Sequence, residues 1–324
     1  MSASRRIAFI GAGAVVSDMY GPATSSVPGL EIVGVCDLDA ERASRVAADL
    51  RAPMRTADDA IARAGLVIVA VPPAAHFAVA RQALEGGCDV LCEKPFVCTE
   101  DEASQLIALA RDRERKLFVG HFRRLLAPVR LARKLLGSGI LGAPQAIEAI
   151  EGGRFSWHAK SEYTTSDPFG GALFDTGSHL LDAALFVTGW DELDFDVRVG
   201  DVEREPASEP SHAIEGRLEL SIDGRQLDLA FKLSRYEMLA NVIRVRCERG
   251  TLELPAGPGS HLRIRGPAGT VTIPAVDGQL STPAAFIQQL RSVVIDRDVP
   301  DLAGDRFVGV TRVLQAALGE VIAT

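Results

Sequence analysis

The sequence predicts an α/β fold: a Rossmann-type doubly wound parallel sheet, followed by an α+β domain with a large open, mostly antiparallel sheet. Three observations predict it. Apolar runs at 7–11, 32–36, 66–71, 89–92 and 117–120 alternate with helical patterns, and strands alternating with helices at this spacing build right-handed crossovers on a parallel sheet. From 193 to 275 the period becomes two, as in Arg217-Leu218-Glu219-Leu220-Ser221-Ile222, which marks strands with one buried face. The chain has 324 residues, too many for one ordinary core and suited to two domains.

The elements follow in order. Ile7-Ala8-Phe9-Ile10 leads into Gly11-Ala12-Gly13, and Ile32-Val33-Gly34-Val35-Cys36 ends at Asp37. Helical patterns occupy 39–50, 58–64, 74–86 and 99–115. Asp39 and Thr99 are good N-cap residues, and Thr99 with Glu102 makes a capping box. A helix at 126–138 stops at Gly137-Ser138-Gly139, and a strand follows at 144–150. The stretch 151–170 is rich in Gly, Ser, Thr, Trp and His and reads as an ordered loop, with a helix at 171–188 beyond it. Asp223-Gly224 is a hairpin signal between 217–222 and 226–233. Helices at 283–296 and 305–323 close the chain.

Composition excludes several classes. The hydrophobic share of 47% and the charged share of 24% are those of a globular protein. A net charge of −8 argues against a nucleic-acid or anionic-membrane partner. The N-terminus runs straight into a strand, with no signal-peptide h-region and no apolar stretch of bilayer length. Cysteines 36, 88, 92, 98 and 247 form no C-x-x-C pair. These observations predict a reducing, cytoplasmic setting and no structural metal.

The chemistry is written in four segments. A glycine turn at Gly11-Ala12-Gly13 lets backbone approach a pyrophosphate, and the next helix, through Ala14 and Val15, aims its N–H groups at the charge. Asp37 ends the following strand, where an acid hydrogen-bonds ribose hydroxyls. Together they predict a dinucleotide site, although Val16 stands where the third glycine normally lets helix and strand approach. Leu38 is no phosphate-binding arginine, and Asp37 repels a 2′-phosphate, which favours NAD; Arg42, one helical turn on, leaves NADP possible.

Val71-Pro72-Pro73 holds a loop open at the carboxyl edge of the sheet. His76 either lies near the nicotinamide half or is a helix-start histidine exposed to water. Glu93-Lys94-Pro95 ends the run 89–92 at the same edge. Lys94 there can hydrogen-bond a substrate or ribose hydroxyl and favours a developing alkoxide; the plainer alternative is a surface ion pair. In Gly170 to Asp182, residues Asp175, His179 and Asp182 are spaced i, i+4, i+7, which puts them on one helix face. A histidine flanked by two carboxylates suits a general acid/base, whereas a packing hydrogen bond is the structural alternative. Arg154, Trp157, His158 and Tyr163 in the loop are candidates to line a substrate pocket.

The order of these motifs — G-x-G turn, strand-end Asp, Glu-Lys-Pro, then G-G-x-x-x-D-x-G-x-H-x-x-D — resembles the glucose–fructose oxidoreductase / inositol dehydrogenase / MocA family over essentially the whole chain. The resemblance implies an NAD(P)-binding domain at 1–121, a substrate and oligomerisation domain at 122–303, and a final helix from about 304 to 324 that packs back on the first domain. It implies hydride transfer between nicotinamide and a hydroxyl or ketone of a sugar or cyclitol, with Lys94, Asp175 and His179 catalytic. Their place at the carboxyl edge makes Pro72, His76, Glu93 and Lys94 candidate cofactor contacts, and the resemblance implies a homodimer or homotetramer formed through the open sheet. Phe122-Arg123-Arg124 resembles an arginine segment that would touch substrate, but Leu125 and Leu126 replace the residues expected next and point away from an inositol-type substrate. Related chemistry or roles that the resemblance admits are NAD-dependent redox elimination, as in one type of glycosidase, and dinucleotide-responsive regulation without catalysis.

Overall fold

The computed structural model describes residues 5–154, 169–204, 212–275 and 281–323. The chain order is β1 (Arg5–Ile10), α1 (Gly21–Thr24), β2 (Leu30–Cys36), α2 (Ala40–Asp49), α3 (Ala57–Ile61), β3 (Leu66–Val69), α4 (His76–Glu85), β4 (Asp89–Glu93), α5 (Glu100–Asp112) and β5 (Leu117–Gly120). It continues with α6 (Ala127–Gly137), β6 (Pro144–Gly152), α7 (Ser178–Thr188), β7 (Asp196–Arg204), β8 (Ala213–Ile222), β9 (Arg225–Ser234), β10 (Val242–Cys247), β11 (Gly250–Pro255), β12 (His261–Gly266) and β13 (Gly269–Pro274). Helices α8 (Thr282–Arg291) and α9 (Val308–Ala323) end it.

These elements form two compact units. The first holds residues up to 122 together with 282–306. Its five strands are all parallel, in the order β2-β1-β3-β4-β5. The order reverses on either side of β1, which puts the topological switch point at the carboxyl ends of β1 and β3, the usual ligand position in such sheets. The strands are short apolar runs because both faces are covered: Ile7, Phe9, Leu66, Ile68, Val90 and Leu91 have no exposed surface. The capping box forms as the sequence predicts, with Glu102 N–H donating to Thr99 Oγ1 and the Glu102 carboxylate accepting from Thr99 N–H.

The second unit holds the described residues of 123–281 and those from 307 on. Its eight strands run β13-β12-β11-β10-β6-β9-β8-β7 and are antiparallel except for the β6–β9 pair. Asp223 and Gly224 both take positive φ, the backbone of a two-residue hairpin turn. One sheet face buries Ile147, Ala149, Leu229, Leu233, Ile243 and Val245, and α7 packs across it. Helix α7 is buried on all sides from Ser178 to Val187. The other face is ionic: Lys232 pairs with Glu215 at 2.8 Å, and Arg244 bridges Glu148 and Glu253.

The return of the chain to the first unit differs from the expectation. It is made by 282–306, not by the last helix. Phe286 packs edge-on to Tyr20 with ring centroids 5.1 Å apart, Arg297 reaches Asp89 at 2.9 Å, and Ala303 bridges Phe118. Helix α9 instead packs on α7 and β7. An amphipathic stripe shows that a helix has a partner without showing which one, and both helices carry the same kind of stripe. Among the described residues no helix is long and apolar enough to cross a membrane, and no metal-binding cluster of His, Cys, Asp or Glu occurs. None of the five cysteines is in a disulfide.

Candidate active site

The nucleotide cradle is built from the ends of β1, β2 and β3. Gly11 has φ of +99°, and a Cβ there would lie 2.2 Å from Ala70 O beyond β3. Only glycine lets the turn cross the sheet this closely. A Cβ on Gly13 would meet nothing within 4 Å, which leaves its backbone open for close approach by a ligand. The helix begins at Ala14 and widens into a π-turn over Val16–Tyr20, with Val16 fully buried in the third-glycine position. Asp37 is tied to the turn: its Oδ2 accepts from Ala12 N–H at 2.7 Å and its Oδ1 from Asp39 N–H at 2.9 Å. Arg42 Nη2 lies 3.3 Å from Asp37 Oδ1. The turn, its open approach and the acid fit a dinucleotide with a free ribose diol.

The Glu-Lys-Pro segment follows β4. Lys94 is half-buried, and its bond to Pro95 is cis. Glu93, expected to contact the cofactor, turns inward. Tyr20 Oη donates to its Oε1 at 2.5 Å, and Lys94 N–H donates to its Oε2 at 3.2 Å. Burial pushes the Glu93 carboxyl up from its usual range, opposed by the Tyr20 hydrogen bond and the Lys94 charge. Burial also pushes the Tyr20 phenol well up, helped by the charge of Glu93.

His76 is not exposed to water. It is 1% exposed, with Nδ1 at 2.8 Å from Pro95 O and Nε2 at 2.9 Å from Val71 O. It pins the loop after β3 to the loop after β4, and burial holds its pKa below the ordinary value although the carbonyls oppose this. The reading of His76 as exposed to water therefore fails: a helix-start position says nothing about which side of the helix another loop covers. Pro72 is exposed at the mouth of the first loop.

In the second unit the Asp/His segment is not one regular helix. Leu173–Gly177, which holds Asp175, is a π-turn, and α7 begins only at Ser178. Such a turn has i→i+5 hydrogen bonding and breaks the i, i+4, i+7 register assumed from spacing. Asp175 Oδ2 accepts from Arg235 Nη2 at 2.8 Å. Asp182 is fully buried and accepts from Arg124 at 2.6 and 2.9 Å. The carboxylates expected to flank the histidine thus carry ion pairs to arginines. His179 is 8% exposed, at the first turn of α7.

Two of the expected substrate arginines are buried in ion pairs. Arg124 has no exposed surface; besides Asp182 it meets Asp191 at 3.0 Å and lies 4.0 Å over the Phe307 ring. Arg123 holds both Glu151 oxygens, at 2.6 and 2.8 Å, and Ala256 O at 2.8 Å. Adjacent arginines after a strand look alike in sequence, and only the fold supplies their acids. Arg154 is exposed. Trp157, His158 and Tyr163 lie outside the described residues. The sequence did not single out Tyr20, Arg235 or Gln289. The one signal was a polar residue interrupting an apolar pattern, too common to select them.

A model of an oxidoreductase family with an NAD-binding Rossmann fold matches residues 5–121, and the model of the GFO/IDH/MocA C-terminal domain matches residues 129–219. The chain belongs to the Gfo/Idh/MocA family. UDP-N-acetylglucosamine 3-dehydrogenase of Acidithiobacillus ferrooxidans is 34% identical over 165 residues, which are 51% of this chain and 49% of that protein. D-glucoside 3-dehydrogenase of Escherichia coli is 30% identical over 195 residues, 58% of this chain and 55% of that protein. The chain thus matches about half the length of these curated relatives. A solved structure of the A. ferrooxidans enzyme superposes with a TM-score of 0.74 at 26% identity, over 98% of this chain and 97% of that one. The parallel sheet followed by a separate antiparallel sheet is the family's fold.

Proposed function

We propose that this family member is a dehydrogenase or ketoreductase that uses NAD, with NADP as a weaker alternative, on a secondary hydroxyl or ketone of a sugar or sugar derivative. The observation that carries the proposal is the joined cradle, in which Asp37 bonds the Ala12 N–H of the glycine turn. The 3-hydroxyl of a pyranose is the favoured position, because two relatives are named as 3-dehydrogenases. An inositol-type cyclitol is disfavoured, since Leu125 and Leu126 stand where the resemblance leads one to expect other residues.

Gly11, Ala12, Gly13, Ala14 and Val15 would hold the pyrophosphate, Asp37 the ribose diol, and Pro72 and Lys94 the nicotinamide half. When bound, the cofactor supplies or accepts a hydride. The protein's own groups manage the proton and the charge. His179 takes the proton from the reacting hydroxyl, or returns it to the ketone oxygen in the reverse direction. The Lys94 ammonium favours negative charge on that oxygen. Asp175, fixed by Arg235, accepts from a neighbouring sugar hydroxyl and sets the ring's orientation. Arg154, Trp157 and His158 are proposed as further substrate contacts. A second copy would dock on the ionic sheet face, giving a dimer or tetramer in the cytoplasm. Dehydrogenation is preferred to redox elimination or regulation because the named relatives are dehydrogenases.

The test is a panel of hexoses, glycosides, nucleotide sugars and cyclitols with NAD⁺ and NADP⁺, followed by nicotinamide absorbance. His179→Ala should lower kcat by about 10²–10⁴-fold and leave NADH affinity unchanged. Turnover of no sugar in either direction, or equal loss of binding and turnover in the variant, would sink the assignment.

A further inference from the structure

Behind Lys94 lies a chain of buried polar groups that hydride transfer itself does not require. Tyr20, on the π-turn after the glycine motif, has no exposed surface, and Glu93 is 5% exposed. Gln289, on α8, is also fully buried, and its Nε2 donates to Tyr20 Oη at 2.8 Å. Tyr20 has one proton and gives it to Glu93 Oε1 at 2.5 Å. Gln289 must therefore present its NH₂ to the phenol, which leaves its Oε1 buried without a hydrogen-bond partner. The second Glu93 oxygen accepts from Lys94 N–H. Every bond in the chain points the same way, amide to phenol to carboxylate, and all of them favour a charged Glu93.

The space around the pair is shaped for it. A Cβ on Gly120, at the end of β5, would lie 2.5 Å from Glu93 Oε1 and 3.2 Å from Tyr20 Oη. Phe9 and Phe286 flank the phenol ring, with centroids at 6.2 and 5.1 Å. Three parts of the chain far apart in sequence converge on one carboxylate, directly beside the only lysine of the Glu-Lys-Pro segment.

We infer that Tyr20 and Gln289 are positioning residues that keep Glu93 ionised, so that a buried negative charge fixes the Lys94 backbone and steadies its ammonium. The inference deepens the role proposed for Lys94. The charged or titratable groups that act on Glu93 are Tyr20 from the π-turn and Lys94 from the following loop, and Cys92 on the same strand feels the Glu93 charge. Without the Tyr20 donor, burial acts against Glu93 with less opposition, and Glu93 takes up a proton at higher pH.

The chain has five lysines, at 94, 116, 134, 160 and 232, so reductive ¹³C-methylation of the intact protein gives few NMR signals, and Lys94→Arg assigns the one from Lys94. That signal should show a step in chemical shift when Glu93 titrates beside it. Tyr20→Phe keeps the ring and should move the step up by about one pH unit. Glu93→Gln should abolish it, and Gln289→Leu should move it up by less. A step that is absent in the methylated protein without substitutions, or unmoved in Tyr20→Phe, overturns the inference. If Tyr20→Phe does not fold, Gln289→Leu decides in the same terms. The readout needs no substrate. A moved step with an inactive enzyme sinks the proposed reaction and keeps the pair, whereas an active enzyme with an unmoved step does the reverse.

Discussion

Arg124→Met tests whether the second unit is held by a buried ionic hub or whether Arg124 serves a substrate. The guanidinium has no exposed surface and makes hydrogen bonds of 2.6 and 2.9 Å to Asp182 and 3.0 Å to Asp191. It also stacks 4.7 Å from Phe186 and 4.0 Å from Phe307. Met fills much of the same space, so little of the loss is cavity. Asp191 keeps Arg133 at 2.9 Å, which leaves Asp182, with no exposed surface, as the carboxylate that loses its arginine. Breaking a buried pair by removing one partner costs about 3–5 kcal/mol. For a unit of this size each kcal/mol is roughly 2–4 °C in Tm, so the transition should fall by about 6–20 °C. Arg124→Met combined with Asp182→Leu should recover more than half of the loss, because an apolar replacement of a buried pair is often neutral. Calorimetry and urea unfolding of the native protein and the two variants measure this. A single-variant loss below about 1 kcal/mol, a typical value for an exposed pair, or a double variant worse than the single, would refute the hub. An unchanged Tm with a raised KM would return Arg124 to the substrate.

Gly11→Ala should weaken NADH binding at least tenfold, read by fluorescence titration, because the added methyl meets Ala70 O at 2.2 Å and φ of +99° suits only glycine. Undiminished binding would show that the turn does not carry the pyrophosphate. His76 supplies a pH dependence. Burial depresses its pKa in the folded state, so the unfolded chain binds the proton more readily. The stabilisation is complete above the unfolded value of about 6.5 and drains away as pH falls below it. Between neutral pH and about pH 5 the Tm should therefore drop more steeply in the native protein than in His76→Asn. Parallel curves would mean that His76 is not the group responsible.

Much of this was legible from local chemistry. Gly11 and Asp37 act over short stretches of chain whose roles follow from backbone geometry and strand position. Thr99 and Glu102 bond each other within one helical turn, so their spacing alone predicts the capping box. The errors share a cause in distant partners. Arg123 and Arg124 find their acids at Glu151, Asp182 and Asp191, far along the chain, and His76 is buried by a loop 19 residues away. The Asp175–His179–Asp182 spacing assumed a regular helix, and the π-turn at Leu173–Gly177 removed that assumption. Periodicity locates helices but does not name what they cover, which is why α8 and α9 exchanged their expected partners.

The division of the first unit between residues up to 122 and residues 282–306 also has a consequence for synthesis. Asp89 on β4 must wait for Arg297, and Tyr20 for Phe286 and Gln289. At a ribosomal rate of about 5–20 residues per second, the nascent N-terminal half stands incomplete for roughly ten seconds or more. Through that interval the Tyr20 ring lacks its Phe286 and Gln289 partners.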